Sequence, residues 1–128
     1  MGVLILIRGV PGAGKTTLAE RLKADHGFCH HEADHYMVNS AGDYEFSQDK
    51  LKAAHDSCYM YTVRDLMKGR DVVVSNTFIK KWEIKKYMDL GVDMGVEIVV
   101  VKLDGGFKSI HDVPAWKITR MRDNYEEV

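Results

Sequence analysis

The stretch Gly9-Val10-Pro11-Gly12-Ala13-Gly14-Lys15-Thr16 is the segment from which the fold of this chain can be predicted. It matches the pattern G-x-x-x-x-G-K-[ST], which is typical of loops that bind the phosphates of nucleoside triphosphates. The apolar run at residues 3–7 predicts a strand buried on both faces. After the loop, Leu18, Ala19 and Leu22 recur at helical spacing. Strand, glycine-rich loop and helix form the context that this motif requires.

Each residue type in this loop has a physical role. Glycines at 9, 12 and 14 allow positive φ and let the backbone approach a phosphate without a Cβ in the way. Backbone N–H groups and the positive end of the following helix stabilise anionic oxygens. We therefore expect Lys15 to reach the β- and γ-phosphates and Thr16 to ligate Mg²⁺. A glycine-rich turn that binds nothing is the alternative. The predicted ATP-binding residues are Gly9, Val10, Pro11, Gly12, Ala13, Gly14, Lys15, Thr16 and Thr17.

The composition is that of an ordinary globular chain. Its 128 residues suffice for one domain, 1–128, and 45% of them are hydrophobic. A net charge of −1 provides no global basic field for nucleic acid, although a local patch stays possible. Cys29 and Cys58 form no Cys-x-x-Cys pair, which favours reduced thiols in a cytoplasmic protein. The apolar runs are too short to span a bilayer and the start lacks signal-peptide features, so we expect no membrane partner.

Predicted strands and helices alternate along the chain. Further strands are expected at residues 28–31, 72–74 and 96–101, and helices at about 48–68, at 82–93 and from Pro114 onward. Trp82 is expected to be one of the packing residues of its helix. The alternation predicts a three-layer α/β/α fold with a small parallel sheet of about four strands. Ligands bind beyond the carboxyl ends of such strands, so the residues that follow each strand are the candidates for a site.

Two of these strand ends carry polar residues of interest. Asp34 could take a proton from an acceptor hydroxyl opposite the γ-phosphate, could hold a Mg²⁺-bound water, or could simply cap a turn. Ser75, Asn76 and Thr77 stand where many phosphate-loop enzymes place an acidic residue that supports Mg²⁺, but none of the three is acidic. They could order water around the metal or only cap the strand end.

The histidines raise a separate hypothesis. His30, His31 and His35 suggest zinc, but their segment does not look helical, so we do not expect a metal site there. His35, beside Asp34, is a candidate for a substrate pocket. His55 lies in the long predicted helix and faces either the site or the core.

Several stretches together resemble the P-loop kinase family. This family includes the phage polynucleotide 5′-hydroxyl kinase and the kinase-like AAA/ATPase domain of certain ubiquitin-ligase-binding proteins. The matching stretches are LILIRGVPGAGKTTLAERL, ADHYM, GDYEF followed by LKAAHDSC, VVVSNTF followed by WEIKKY, and SIHDVPAWKITRMRDNYE. The resemblance implies ATP and Mg²⁺ as cofactors. It also implies phosphoryl transfer to a hydroxyl, with a nucleic-acid 5′ end or a nucleotide-like acceptor as the expected substrate.

The resemblance assigns roles residue by residue. Lys15 takes a catalytic role on the triphosphate, Thr16 the metal, and Asp34 the role of general base toward the acceptor. Asn76 and Thr77 match the polar pair that ends the third strand. The expected substrate-binding residues are His35, Tyr36, Asn76 and Thr77, with Tyr44 and Phe46 as candidates for stacking on a base.

The chain also departs from the family pattern. Met37 stands where the phage kinase has an arginine, and Asn76 stands where it has an acid. Between Asp104 and Val113 the family carries an arginine-bearing lid, which is truncated here, so Lys108 and Arg120 are the candidates to replace it. Such an arginine contributes about 10³-fold or more in rate. A nucleotide-binding module or slow ATPase without kinase activity is therefore the alternative function.

Overall fold

A four-stranded parallel sheet lies at the centre of the structure, a computed structural model that describes residues 2–10, 13–36 and 48–103. Its strands are β1 (Val3–Arg8), β2 (Cys29–His31), β3 (Val72–Asn76) and β4 (Glu97–Lys102). Their spatial order is β2-β3-β1-β4. This order brings the carboxyl ends of β1, β2 and β3 side by side, as the parallel pairing requires.

Helices cover both faces of the sheet, which confirms the predicted three-layer fold. They are α1 (Lys15–His26), α2 (Gln48–Met67) and α3 (Lys81–Met94), and a short 3₁₀ helix (Ala33–Tyr36) follows β2. α1 packs on one face against a cluster that includes Ile7 and Val73. α2 and α3 pack on the other face against a cluster that includes Leu4 and Leu6. Successive side chains of β1 thus point to opposite faces, which explains its uninterrupted apolar sequence.

Glycines end two of the helices. Gly27 follows α1 with φ 72°, and Gly95 follows α3 with φ 67°, both in the left-handed region that favours glycine. β3 continues beyond its predicted end through Ser75 and Asn76, because both residues pair with β1. These two polar side chains therefore belong to the strand itself and are buried.

Trp82 does not pack as predicted. It is 71% exposed, whereas Ile84 and Tyr87 of the same helix are fully buried. Trp82 lies two residues before Ile84, or about 200° around an α-helix, so burying one directs the other toward solvent. Helical spacing alone does not indicate which of two apolar stripes faces the sheet.

Some predictions fall outside the described residues. They concern the stacking candidates Tyr44 and Phe46, the shortened lid and the last helix from Pro114. Within the described ranges, no helix combines the length and the apolar character needed to cross a bilayer.

Two loop glycines serve different purposes. Gly14 has φ 93° and directly precedes α1, which matches the expected conformational role. Gly9 has no positive φ, contrary to expectation, and is needed for space instead. A Cβ at position 9 would lie 2.7 Å from the carbonyl oxygen of Leu103 and 3.1 Å from the Cβ of Ala13. The loop therefore packs closely against the residue that follows β4.

We predict that Gly9→Ala lowers the free energy of unfolding by about 1–3 kcal/mol, because the added methyl group forces backbone apart. Urea unfolding measures the loss, and amide chemical shifts at Ala13 and Leu103 should move. Gly27→Ala is the comparison, since nothing lies within 4 Å of its added Cβ and only the left-handed φ is strained. It should leave both amides unmoved. Wild-type stability of Gly9→Ala would contradict the packing argument.

Candidate active site

Lys15 folds back over the glycine-rich loop. It is the first residue of α1, and its Nζ donates a hydrogen bond to the carbonyl oxygen of Val10 at 3.0 Å. Burial lowers the pKa of Lys15, and the nearby carboxylates of Glu32 and Asp34 partly offset this effect. An anion bound in the loop would further favour the charged ammonium. Pro11 and Gly12 lie outside the described residues.

Thr16 is held by a carboxylate that the sequence had not singled out. Its Oγ1 donates to Oε2 of Glu32 at 3.1 Å, and the same oxygen accepts a hydrogen bond from Ser75 Oγ at 2.7 Å. Glu32 directly follows β2, while Thr16 lies in the first turn of α1 and Ser75 in β3. One carboxylate thus connects three elements at the carboxyl edge of the sheet.

Glu32 is ionised at neutral pH. Burial alone would raise its pKa, but hydrogen bonds from His30 and Ser75 lower it to about 2. The side chain is only 10% exposed, so these donors replace most of the water around the charge. The site therefore contains a fixed negative charge beside the hydroxyl predicted to ligate Mg²⁺.

Glu32 supplies the acidic group that is absent from the end of β3. Position in the sequence alone points to Ser75, Asn76 and Thr77 for this role, and none of the three is acidic. In the sheet, however, β2 is the neighbour of β3, and His31 lies opposite Val74. The residue after His31 therefore reaches the level of Ser75. Glu32 could have been identified from the sequence as an acidic residue directly after β2, provided that the strand order was known.

Asp34 lies on the side of the sheet where Lys15 lies. It belongs to the 3₁₀ helix after β2, and its charge raises the pKa of Lys15. The backbone of Ala33, the residue before Asp34, is held in place because its N–H donates a hydrogen bond to Oδ1 of Asn76 at 2.9 Å. The structure therefore brings Lys15, Thr16 and Asp34 together at one edge, as the sequence predicted.

Asn76 and Thr77 support this arrangement from within the protein. Nδ2 of Asn76 lies 3.8 Å from Sγ of Cys58, so both ends of its buried amide contact protein groups. The carbonyl oxygen of Thr77 accepts a hydrogen bond from the backbone N–H of Gly9 at 3.3 Å. The two residues thus position the 3₁₀ helix and the loop. Their contact with a substrate stays a prediction.

His35 and Tyr36 point to different neighbours. His35 Nε2 lies 3.5 Å from Oε1 of Glu32, and burial lowers the pKa of this imidazole. The Tyr36 hydroxyl instead lies 3.1 Å from Nδ1 of His31, and its ring stacks on Tyr61 of α2 with centroids 5.4 Å apart. The two rings also lie edge to face, with their centroids 6.4 Å apart. Their roles as substrate contacts stay predictions.

His55 lies within electrostatic range of Asp34 and Glu83. It is half-buried in α2, and burial lowers its pKa, while the carboxylates of Glu83 and Asp34 act in the opposite direction. Glu83 lies in the first turn of α3, where its carboxylate accepts a hydrogen bond from the backbone N–H of Lys80 at 2.6 Å. Whether His55 faces the site or the core stays a prediction.

Arg8 fixes the loop after β3, a role that sequence reasoning missed. Its guanidinium is buried and donates to the carbonyl oxygens of Phe78 at 2.5 Å and Ile79 at 3.4 Å. Phe78 has φ 46°, a conformation that costs a non-glycine residue free energy and requires support from its surroundings. An arginine at the end of an apolar strand was the available signal. The lid candidates Lys108 and Arg120, and also Met37, Tyr44 and Phe46, lie outside the described residues.

Comparisons with known proteins identify the family of this chain. A family model described as an AAA domain (AAA_33) matches residues 4–105. Human NEDD4-binding protein 2 is 30% identical over 97% of this chain. The chain corresponds to only 8% of the length of that protein, so the similarity concerns one segment of it.

Solved structures share the fold at low sequence identity. One is the Pnkp1/Rnl/Hen1 RNA repair complex, with a TM-score of 0.67 at 14% identity over 99% of this chain and 40% of that chain. Another is the APS kinase CysC of Mycobacterium tuberculosis bound to AMPPNP and APS, with a TM-score of 0.58 at 18% identity over 93% of this chain and 67% of that chain. From the family match, the chain belongs to the AAA_33 family of AAA domains, and its fold is shared with the APS kinase.

Proposed function

We propose that this chain transfers the γ-phosphoryl group of ATP to a hydroxyl acceptor, with a nucleic-acid 5′ end or a nucleotide-like molecule as the acceptor. The observation that carries the proposal is the meeting of Lys15, the Thr16–Glu32 pair and Asp34 at one edge of the sheet. These groups supply a cation, a metal-binding oxygen and a candidate base. A phosphoryl-transfer site requires all three.

The loop and Lys15 would hold the triphosphate. Gly14 lies at the amino end of α1, where backbone N–H groups and the helix dipole favour anionic oxygens. Lys15 Nζ, now hydrogen-bonded to the Val10 carbonyl, would exchange this weak acceptor for phosphate oxygens. The APS kinase of similar fold binds the ATP analogue AMPPNP, which supports ATP as the donor here.

Thr16 and Glu32 have the donor chemistry that suits Mg²⁺. Magnesium prefers oxygen ligands and binds through one or two protein groups together with water and substrate phosphates. The Thr16 hydroxyl and the ionised Glu32 carboxylate provide such oxygens side by side. When bound with nucleotide, the ion neutralises charge that develops on the β- and γ-phosphates.

Asp34 would act on the acceptor. Its carboxylate accepts the proton of the acceptor hydroxyl as that oxygen forms a bond to the γ-phosphorus. The bond between this phosphorus and the β–γ bridging oxygen breaks, and ADP leaves with the bridging oxygen. His55 lies within electrostatic range of Asp34.

Two observations support a nucleic-acid or nucleotide acceptor. The sequence resembles the polynucleotide-kinase branch over nearly its whole length, and one protein assembly of similar fold acts in RNA repair. The alternative is a nucleotide-binding module or slow ATPase. It is favoured by the sequence between Asp104 and Val113, in which Lys108 is the single basic residue other than His111.

We predict that Asp34→Asn lowers phosphoryl transfer by about 10²–10⁴-fold while ATP affinity stays near the wild-type value, because the proton acceptor is lost and the loop is not. Radiolabelled ATP with a panel of 5′-hydroxyl oligonucleotides and nucleotides measures transfer, and calorimetry measures affinity. Asp25→Asn, an exposed position at the end of α1, is the matched control. If the wild-type chain binds ATP but transfers no more phosphate than Asp34→Asn, the slow-ATPase alternative is correct.

We predict that Lys15→Ala weakens ATP binding by about 10–100-fold, since a charge-assisted hydrogen bond to phosphate is lost. Lys23→Ala, exposed in the last turn of the same helix, should bind ATP like the wild type. Unchanged affinity in Lys15→Ala would reject both the kinase and the binding-module functions.

We predict that Glu32→Gln makes the free energy of unfolding fall less steeply as the pH is lowered. The pKa of Glu32 is lowered in the folded state, so its contribution of about 3 kcal/mol is present above about pH 4.5 and is lost as pH falls toward 2. Urea unfolding between pH 5 and pH 2 measures this loss. Glu97→Gln, at an exposed position of β4, should retain the wild-type dependence. Equal acid dependence in Glu32→Gln and wild type would show that Glu32 is not specially stabilised as a carboxylate.

A further inference from the structure

We propose that Glu20, His30 and His35 form a binding site for Zn²⁺, separate from the phosphate loop. The three residues come from α1, β2 and the 3₁₀ helix, and each offers a ligand atom within 4.8 Å of the other two. The sequence did not predict this site, because the third ligand lies ten residues earlier on a helix. The fold, rather than the local spacing, brings the three groups together.

The geometry of Glu20 and His30 is close to that of a zinc centre. Oε1 of Glu20 lies 3.0 Å from Nδ1 of His30. Two ligand atoms of a tetrahedral zinc ion, bound at about 2.0–2.1 Å, lie about 3.3 Å apart. His30 is held inside the protein, while Glu20 and His35 have side chains 51% and 38% exposed. The two outer ligands therefore have room to close on an ion that enters from solvent.

Hydrogen bonding determines which nitrogen of His30 would bind the metal. Ser75 donates its only hydroxyl hydrogen to Glu32, so Nε2 of His30, 2.7 Å from Ser75 Oγ, must be the donor in that contact. In a neutral imidazole, Nδ1 then carries the lone pair, and this lone pair faces the Glu20 carboxylate. Two electron-rich atoms at this distance require a cation between them, either a proton or a metal ion.

The surroundings resemble the outer shell of established zinc sites. Histidine ligands commonly direct their second ring nitrogen at a carboxylate or another acceptor, which fixes the ring. Here the Glu32 carboxylate lies beside both rings. Its Oε2 is 3.3 Å from Nε2 of His30, and its Oε1 is 3.5 Å from Nε2 of His35. His31 is not part of the site, because its Nε2 contacts Asp65 Oδ2 at 2.6 Å.

The ligand set selects the metal. Two imidazoles and one carboxylate suit zinc and related transition ions, whereas Mg²⁺ prefers an all-oxygen set. Three protein ligands leave a fourth position for water. Glu32 lies between this site and Thr16, so an ion held by the histidines would also restrain the carboxylate on the magnesium side.

The test is direct metal binding to the full chain without nucleotide. Calorimetry with Zn²⁺ should show one ion per chain, Mg²⁺ should not compete for it, and Co²⁺ should give the visible absorption of a tetrahedral complex. Glu20→Gln and His35→Asn should each weaken Zn²⁺ binding by at least about 10-fold. Both positions are partly exposed, so circular dichroism should show folded variants.

Two controls separate this site from other possibilities. His26→Asn removes an exposed histidine from the last turn of α1 and should leave Zn²⁺ affinity unchanged. Lys15→Ala should retain Zn²⁺ binding whatever it does to ATP binding, so failure of the proposed kinase function leaves this test intact. Absence of Zn²⁺ binding, or wild-type affinity in both Glu20→Gln and His35→Asn, would overturn the proposal.

Discussion

The arrangement of the site depends on one buried carboxylate. Glu32 accepts hydrogen bonds from Thr16 and Ser75 and contacts His30, so it joins the first turn of α1, the end of β2 and the end of β3. A buried charge is stable only while its partners stay in place, and removing one partner from such a group costs several kcal/mol. The requirement to satisfy this charge therefore fixes the relative positions of the elements that carry Lys15 and Asp34.

Much of the fold follows from local signals in the sequence. The apolar residues of β1 and β3 predict buried strands, and Gly27 and Gly95 mark helix ends because only glycine adopts their left-handed conformation without strain. The glycine-rich loop was recognisable for the same reason, since its chemistry is contained in eight consecutive residues. Lys15, Thr16 and Asp34 meet as expected because the carboxyl ends of parallel strands share one edge.

The remainder of the site depends on partners that are distant in sequence. Glu32 matters because β2 lies beside β3, and a sequence does not state its strand order. Arg8 serves Phe78, which lies 70 positions later, and Glu20 meets His30 only after α1 packs on the sheet. Asn76 had the expected position but turns its amide inward, because the N–H of Ala33 must be satisfied there. Residue type indicated the chemistry in each case, and tertiary packing decided its direction.

The exposed position of Trp82 gives the molecule an optical probe of its own. The indole ring lies in solvent at the first turn of α3, next to Glu83. The negative charge of Glu83 acts on the pKa of His55. Indole emission depends on the polarity around the ring, and the chain contains just one other tryptophan, Trp116. With Trp116 replaced by phenylalanine, the emission wavelength of the remaining fluorescence would report changes around the first turn of α3 without any added dye.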